Sequence, residues 1–256
     1  MRELQVLAYH RVLPSALARL RGVLAVTSEN FERQLEHFLH RGSQCLTLSQ
    51  LYADYLVKGE YPRNTFVVTF DDGYKDNYVH AFPIMKRLAI KATVFVTTDY
   101  IGKKADLYFS LQPRKYGVEA IDQCLSPEEI KEMSEFGIEF GSHSHTHPHL
   151  TKISKDQVRQ EVQYSKSLLE QLIARKVVSF CYPFGDLNSE VIDIVRKSGY
   201  LIGVVTPSRT GIPQSPLTIR RTGIYLNDSH LKFLLKTSPI FHRIRETGLW
   251  RIAKQL

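Results

Sequence analysis

The sequence predicts an α/β fold in which helices alternate with the strands of a largely parallel sheet or barrel. Two observations point there: short β-branched or aromatic runs recur along the chain, and amphipathic helical patterns fill the gaps between them. A third bounds the answer, because 256 residues with 43% hydrophobic and 23% charged side chains suit a folded core rather than disorder or a coiled coil. No internal repeat or low-complexity linker divides the chain, so one domain is expected. The longest apolar runs, such as 177–180 and 201–205, fall far short of the roughly 18 to 20 residues of a membrane-spanning helix.

The elements follow in order. Gln5 to Tyr9 reads as a buried first strand, and Glu3 and Gln5 interrupt what would be an apolar leader, so the start reads as a mature N-terminus. A helix follows Ser28, with Phe31, Leu35, Phe38 and Leu39 on one face, and another begins at Leu48-Ser49. Thr65 to Phe70 and Ala92 to Thr97 read as strands. Ser126-Pro127-Glu128-Glu129 is a capping box with Pro at the first helical position, so a helix runs to about Phe136 and stops at Gly137. Gly137 to Gly141 is then a short strand. Ser154 with Gln157 starts a longer helix to about Arg175, striped by Val158, Val162, Ser165, Leu168, Leu169 and Leu172. Val177 to Cys181 is a strand, Ser189 to Lys197 a helix ending at Gly199, and Leu201 to Thr206 and Leu217 to Ile224 are further strands. Residues 231–256 carry six Lys or Arg against one acid, Glu246, interleaved with apolar side chains. They read as a separate basic amphipathic segment, suited to a membrane interface or to packing on the domain 1–230.

Charge and cysteines narrow the partners. Thirty-four Lys and Arg against 26 Asp and Glu give a net charge of +8, which favours an acidic partner such as nucleic acid, anionic lipid or a phosphorylated substrate. No nucleic-acid motif or aromatic platform accompanies that charge, so no specific nucleic-acid partner is expected. Cys45, Cys124 and Cys181 are widely spaced and odd in number, offering neither a disulfide framework nor a paired zinc motif. Reduced thiols in a cytoplasmic protein are the expectation.

In β/α folds, sites collect at the C-terminal ends of strands. There, Thr69-Phe70-Asp71-Asp72-Gly73 runs a hydrophobic strand into two adjacent carboxylates, which repel unless a cation separates their roles. The tract His143-Ser144-His145-Thr146-His147-Pro148-His149-Leu150 packs four imidazoles into seven residues directly after another strand. His143 and His147 can converge from a helical turn, whereas 143, 145 and 147 share a face only in an extended segment; Pro148 makes an irregular turn equally compatible. Two imidazoles and one carboxylate make a three-ligand site for zinc or a similar divalent ion, with one position open to water. An uncoordinated neighbouring carboxylate then serves as base, and Asp71 and Asp72 suit these two jobs. A third stretch, Ser179 to Asp186, breaks from strand into a Pro-aromatic-Gly turn that can aim a backbone N–H at developing negative charge.

These residues resemble the polysaccharide deacetylases with a NodB-homology domain, carbohydrate esterase family 4. The motif T-F-D-D-G is complete at Thr69 to Gly73, and H-S/T-x-x-H followed by Pro-x-Leu is complete at His143 to Leu150. Tyr9-His10-Arg11-Val12 is similar to the Y-H-x-V start of a bacterial subgroup that includes poly-N-acetylglucosamine deacetylases. The resemblance runs to about Tyr225 and implies a distorted (β/α)7 barrel, with Asp72, His143 and His147 as metal ligands and Asp71 as general base. Two departures accompany it. The R-x-P-Y motif aligns with Cys181-Tyr182-Pro183-Phe184, which lacks the Arg but leaves Phe184 to supply the oxyanion N–H. Arg220 or Arg221 offers a replacement guanidinium, and the sequence does not choose between them. The closing Leu-x-His segment is absent, so His10 is preferred over His230 as the acid that protonates the leaving amine, while His145 and His149 are expected to flank the site or face solvent.

The expectation is a metal-dependent hydrolase, with zinc the expected ion, that removes an N-acetyl group from an amino sugar. Its substrate is expected in a glycan or a lipid-linked or nucleotide-linked precursor, on the cytoplasmic side, with peripheral membrane contact through 231–256. A carbohydrate-binding pseudoenzyme and a deformylase on a lipid-linked amino sugar are the competing readings.

Overall fold

Strand β1 (Gln5–Tyr9) is buried along its whole length, and the chain continues through β2 (Arg11–Leu13), the short helix α1 (Ser15–Ala18) and β3 (Ala25–Thr27) into α2 (Ser28–His40). This computed structural model describes residues 4–19, 22–103, 123–206, 215–238 and 241. Next come β4 (Gln44–Cys45), α3 (Leu48–Lys58), β5 (Thr65–Phe70), a π-helical turn at Asn77–Ala81, α4 (Phe82–Arg87) and β6 (Thr93–Val96). The second half alternates α5 (Pro127–Phe136), β7 (Glu139–Ser142), α6 (Lys155–Ile173), β8 (Ser179–Cys181), α7 (Ser189–Lys197), β9 (Ile202–Val204), β10 (Thr222–Gly223) and α8 (His230–Lys236).

Local chemistry sets the helix ends. Ser126 and Glu129 exchange side-chain and backbone hydrogen bonds at the start of α5, and Gly137, at φ 102°, ends it in the left-handed region. That cap displaces β7 from the expected start at Gly137 to Glu139. Ser154 and Gln157 form the same reciprocal box on α6, as do Thr47 and Gln50 on α3. Helix α6 stops at Ile173 because Ala174 turns left-handed at φ 51°.

The main sheet has the order β10-β1-β5-β6-β7-β8-β9, with β4 beside the beginning of β5, and every pairing is parallel. Seven strands in that path match the (β/α)7 barrel implied by the sequence. The ring closes through the stretch expected as a long strand at 217–224, of which Thr222–Gly223 is regular and Ile219 bridges Val204 of β9. Gly203 N–H donates to Pro216 O at 2.7 Å and Ile219 N–H to Gly203 O at 2.8 Å. A β-carbon at Gly203 would stand 2.5 Å from Leu217 O, so glycine permits this closure. Strands β2 and β3 pair with each other outside the ring.

Alternation along the strands divides the core. Leu7, Tyr9, Phe66, Val68 and Phe70 face the helical layer with Phe31, Leu35 and Phe38, whereas Val6, Val67, Phe95, Cys181, Ile202, Val204 and Ile219 fill the barrel interior. Phe233 of α8 is fully buried and meets Phe38 at 5.9 Å between ring centroids. The boundary expected at 231 therefore falls inside a helix docked on the barrel, because Phe233 joins the main core; residues 242–256 of that segment lie outside the described residues.

Candidate active site and metal centre

The period of two that fills the barrel also builds the site. On β1, Val6 and Ala8 lead to His10; on β5, Val67 and Thr69 lead to Asp71; on β7, Glu139 and Gly141 lead to His143; on β8, Ser179 leads to Cys181. Four side chains thus reach one mouth from the C-terminal ends of four parallel strands. Gly141 makes room below them, since a β-carbon there would meet Phe95 at 2.6 Å and Ser179 Oγ at 2.5 Å.

Asp71 is buried and held at both oxygens by Arg221, Nη1 to Oδ1 at 2.6 Å and Nη2 to Oδ2 at 2.7 Å. Arg221 is also buried, and it donates to Val205 O at 3.1 Å and Thr69 Oγ1 at 3.0 Å. Burial opposes the ionisation of Asp71, but the Arg221 charge and its hydrogen bonds, with His10 and His143 beyond, hold the carboxyl well below its usual range. Arg221, not Arg220, is the guanidinium on Asp71. Its Nη2 lies 3.2 Å from Cys181 Sγ, so a cation from another strand sits beside the residue that occupies the third motif's Arg position. Burial pushes the Cys181 thiol well above its ordinary value, which keeps it protonated.

The second cluster lies one residue on. Asp72, at φ 72°, turns the chain left-handed and separates its carboxylate from that of Asp71. After β7 the chain makes an irregular turn, with Ser144 at φ 64° and His147 at φ 61°, the alternative that Pro148 left open. His143 Nδ1–H donates to Cys181 O at 2.8 Å, which points its Nε2 lone pair into the cluster. His143 Nε2 and His147 Nε2 are 3.2 Å apart, and they lie 3.5 and 3.7 Å from Asp72 Oδ1.

A tetrahedral ion with bonds of about 2.0 to 2.1 Å spaces its ligand atoms about 3.4 Å apart, so these three donors fit a zinc-type ion. Burial, then the charge of Asp71, pushes the Asp72 carboxyl well above its usual range, while burial and His143 push His147 down to about 2. The charges of Arg221 and Arg11 oppose the rise of Asp72 without offsetting it, so a cation held by these donors would stabilise the ionised carboxylate. A second grouping, Asp71, His143 and Cys181, also lies within ligand distance, but Arg221 already binds Asp71 and contacts the protonated thiol.

The remaining candidates are placed around this pair of clusters. His10 Nε2 is 3.8 Å from Asp71 Oδ2, and burial pushes its imidazole down to about 4 against the pull of Asp71. Asn77 Nδ2 donates to His10 O at 2.9 Å, and Asp76 accepts from Arg11 Nε at 2.7 Å and Val12 N–H at 2.9 Å, fixing the chain at that strand end. Phe184 sits in the turn after β8 at φ 56°, where Gly185 N–H donates to Tyr182 O and Asp186 N–H to Pro183 O. His145 hydrogen-bonds Thr98 and packs on Tyr164, while His149 stacks on Phe184. His230 opens α8 against His37. The roles of Cys181 and Asn77 escaped the sequence reading. Counting by twos from Ser179 could have aimed Cys181 inward; the Asn77 contact with His10 had no sequence signal.

Residues 58–203 match the family model for polysaccharide deacetylases. The chain belongs to the polysaccharide deacetylase family. A Bacillus subtilis protein named for that family is 28% identical over 80% of this chain and 64% of its own length. This chain therefore spans less than two thirds of that relative. A Staphylococcus aureus poly-beta-1,6-N-acetyl-D-glucosamine N-deacetylase is 26% identical over 87% of this chain and 74% of its own. Among solved structures, a Streptococcus pyogenes deacetylase in complex with acetate superposes with a TM-score of 0.75 at 26% identity, over 93% of this chain and 99% of that one. Among the described residues, no helix of this deacetylase-family chain is long and apolar enough to cross a membrane.

Proposed function

We propose that the chain is a metal-dependent amide hydrolase that removes the N-acetyl group from an amino sugar, consuming water and releasing acetate and a free amine. The observation that carries this reading is the convergence of Asp72 Oδ1, His143 Nε2 and His147 Nε2 beside an Asp71 that Arg221 keeps ionised. The names of the relatives support the same reaction. Asp72, His143 and His147 would hold the ion; two imidazoles and a carboxylate favour zinc. When bound, such an ion supplies Lewis acidity and lowers the pKa of a coordinated water towards about 7.

The chain's own groups do the rest. Asp71 accepts the proton released as the acetyl carbonyl is attacked, and its paired oxygens stay aimed because Arg221 grips both. His10 is neutral at rest and its Nε2 lies 3.8 Å from Asp71 Oδ2, so it would act as an acid only after that proton reaches it through one bridging water, and it would then pass the proton to the leaving amine. Phe184 N–H, in the turn after β8, would face the carbonyl oxygen as charge builds on it. A pseudoenzyme would follow from a missing motif Arg and an uncertain acid, and the grip of Arg221 on Asp71 speaks against the first of these.

Replacing Asp72 or His147 with Ala should abolish both metal uptake, read by elemental analysis, and acetate release, whereas Asp71→Asn should keep the metal and lose turnover by at least ~10²-fold. Full acetate release by either ligand variant would sink the assignment. The same assay over polymeric, nucleotide-linked and lipid-linked N-acetyl sugars identifies the carrier. Contact of 231–256 with an anionic membrane would appear there as a preference for vesicle-embedded over free substrate, and equal rates on both would end that part of the reading.

A further inference from the structure

The turn that carries both imidazole ligands is gripped from outside by a side chain that none of the roles above uses. Glu161 of α6 accepts the His145 N–H at 2.8 Å and the Thr146 N–H at 2.7 Å through Oε2, and the Thr146 hydroxyl at 2.6 Å through Oε1. All three bonds land between His143 and His147, in a turn where Ser144 and His147 both stand in the left-handed region. Residues bearing a β-carbon hold that conformation only where their surroundings impose it. Short hydrogen bonds to a carboxylate are the strong kind, and three of them converge here on one side chain.

The aim of Glu161 is itself fixed. Ser165, one turn further along α6, shares a buried hydrogen bond of 2.7 Å with Ser142, the residue before His143, so α6 and β7 are held in register just where the turn begins. The opposite edge of the turn rests on the exit of β6, where Thr98 N–H donates to Ser144 O at 3.3 Å and Asp99 N–H to His145 O at 2.9 Å. The His145 side chain adds to both edges: its Nδ1 lies 2.9 Å from Thr98 Oγ1, and its ring packs on Tyr164 of α6 with centroids 4.6 Å apart. The backbone between the two ligands is thus tied on both sides, and these ties leave the Nε2 atoms of His143 and His147 to the ion.

We infer that Glu161 is a positioning residue for the metal: its carboxylate fixes the 143–147 turn in ligand geometry before an ion arrives. A turn that had to be ordered at the moment of binding would hold the ion less tightly. The inference rests on the metal-dependent reading above and adds to it a residue outside the three ligands. Geometry and charge can be separated at this position. A glutamine carbonyl can accept both backbone N–H groups while its amide donates to the Thr146 hydroxyl oxygen, so Glu161→Gln can keep the grip without the charge.

The test is the zinc affinity of the folded, metal-stripped protein, measured by competition with a chromogenic chelator, in the wild type and in Glu161→Ala, Glu161→Gln and Thr146→Ala. Positioning requires affinity to fall about 10- to 100-fold in Glu161→Ala and by a smaller factor in Thr146→Ala, which loses one bond of the three, and to stay within about 3-fold of wild type in Glu161→Gln. Cobalt gives a second readout, because its visible absorption is intense in a tetrahedral site and weak in an octahedral one. The intensity per bound ion should drop in Glu161→Ala and return in Glu161→Gln. A role in stability alone would lower the urea midpoint of Glu161→Ala and leave both metal readouts at their wild-type values, which overturns the inference. A Glu161→Gln protein as weak as Glu161→Ala also overturns it, since charge rather than geometry would then be at work. If Glu161→Ala does not fold, Thr146→Ala decides: reduced affinity supports positioning, and unchanged affinity overturns it. Wild-type protein that binds neither zinc nor cobalt removes the metal-dependent reading and this inference together, whereas tight binding by both wild type and Glu161→Ala removes this inference alone.

Discussion

Arg221 is a fully buried cation whose charge is spent on a single carboxylate and whose remaining donors reach Val205 O, Thr69 Oγ1 and Cys181. Removing one member of such a pair leaves the other buried and uncompensated, which costs about 3–5 kcal/mol. Arg221→Ala should therefore lower the unfolding free energy from urea titration by that amount and abolish acetate release; a midpoint equal to wild type would show that the pair is not what holds this part of the barrel. Arg221→Lys keeps a charge but not the two-pronged grip on Asp71, so it should recover stability better than turnover. At this scale the sequence displayed Asp71, Asp72, His143 and His147 plainly, since their types and spacing are local. The choice between Arg220 and Arg221 was not local: it depends on which face of an irregular closing strand each residue occupies, and that is set by pairing with β1 and β9.

Strand exits carry the chemistry and helices carry the strands. The capping boxes at Ser126 and Ser154 were legible because both halves of each device sit within four residues, and the strands 5–9 and 65–70 were legible because each is a short run of mostly apolar, β-branched or aromatic residues. The β2–β3 pair and the π-helical turn at Asn77–Ala81 were not, since three-residue strands and a single widened turn leave no periodic trace. The closing stretch was read as one long strand, whereas Val204 and Ile219 make an isolated bridge and only Thr222–Gly223 is regular. Gly203→Ala should cost about 1–3 kcal/mol, because its β-carbon meets backbone rather than a movable side chain. Thermal unfolding measures this, and an unchanged Tm would mean that the strands part there without penalty. At Gly141 a β-carbon would meet side chains instead, Ser179 Oγ and the fully buried ring of Phe95.

Across the whole molecule, buried imidazoles set the response to acid. Burial lowers His10 to about 4 and His147 to about 2, and it also lowers His143, whereas the unfolded groups titrate near 6.5. As pH falls below 6.5 the unfolded chain binds protons that the folded chain refuses, so His10 and His147 each remove up to about 1.4 kcal/mol of stability per pH unit, and His143 acts in the same direction. Asp72 runs the other way: its folded carboxyl is raised, so acidification favours the fold above the unfolded value of 3.8. Asp71, depressed in the fold, adds loss only as pH falls below that value. The lowered imidazoles of His10, His80, His143 and His147 outnumber the raised carboxyls of Asp72 and Asp76, so the metal-free protein should lose Tm from pH 6.5 to 4.5, with a shallower slope in His147→Gln. A Tm that is flat or rising towards acid, measured by calorimetry with chelator present, would contradict this balance.

The counter-charge for Asp71 arrives from 150 positions downstream, at the edge of the strand that completes the ring. A ribosome that has released everything through His147 has thus made all the metal donors but no working catalyst. Cutting the polypeptide ahead of Arg221 should leave two pieces that release no acetate, and the return of release on mixing them would measure their reunion, as in a split reporter.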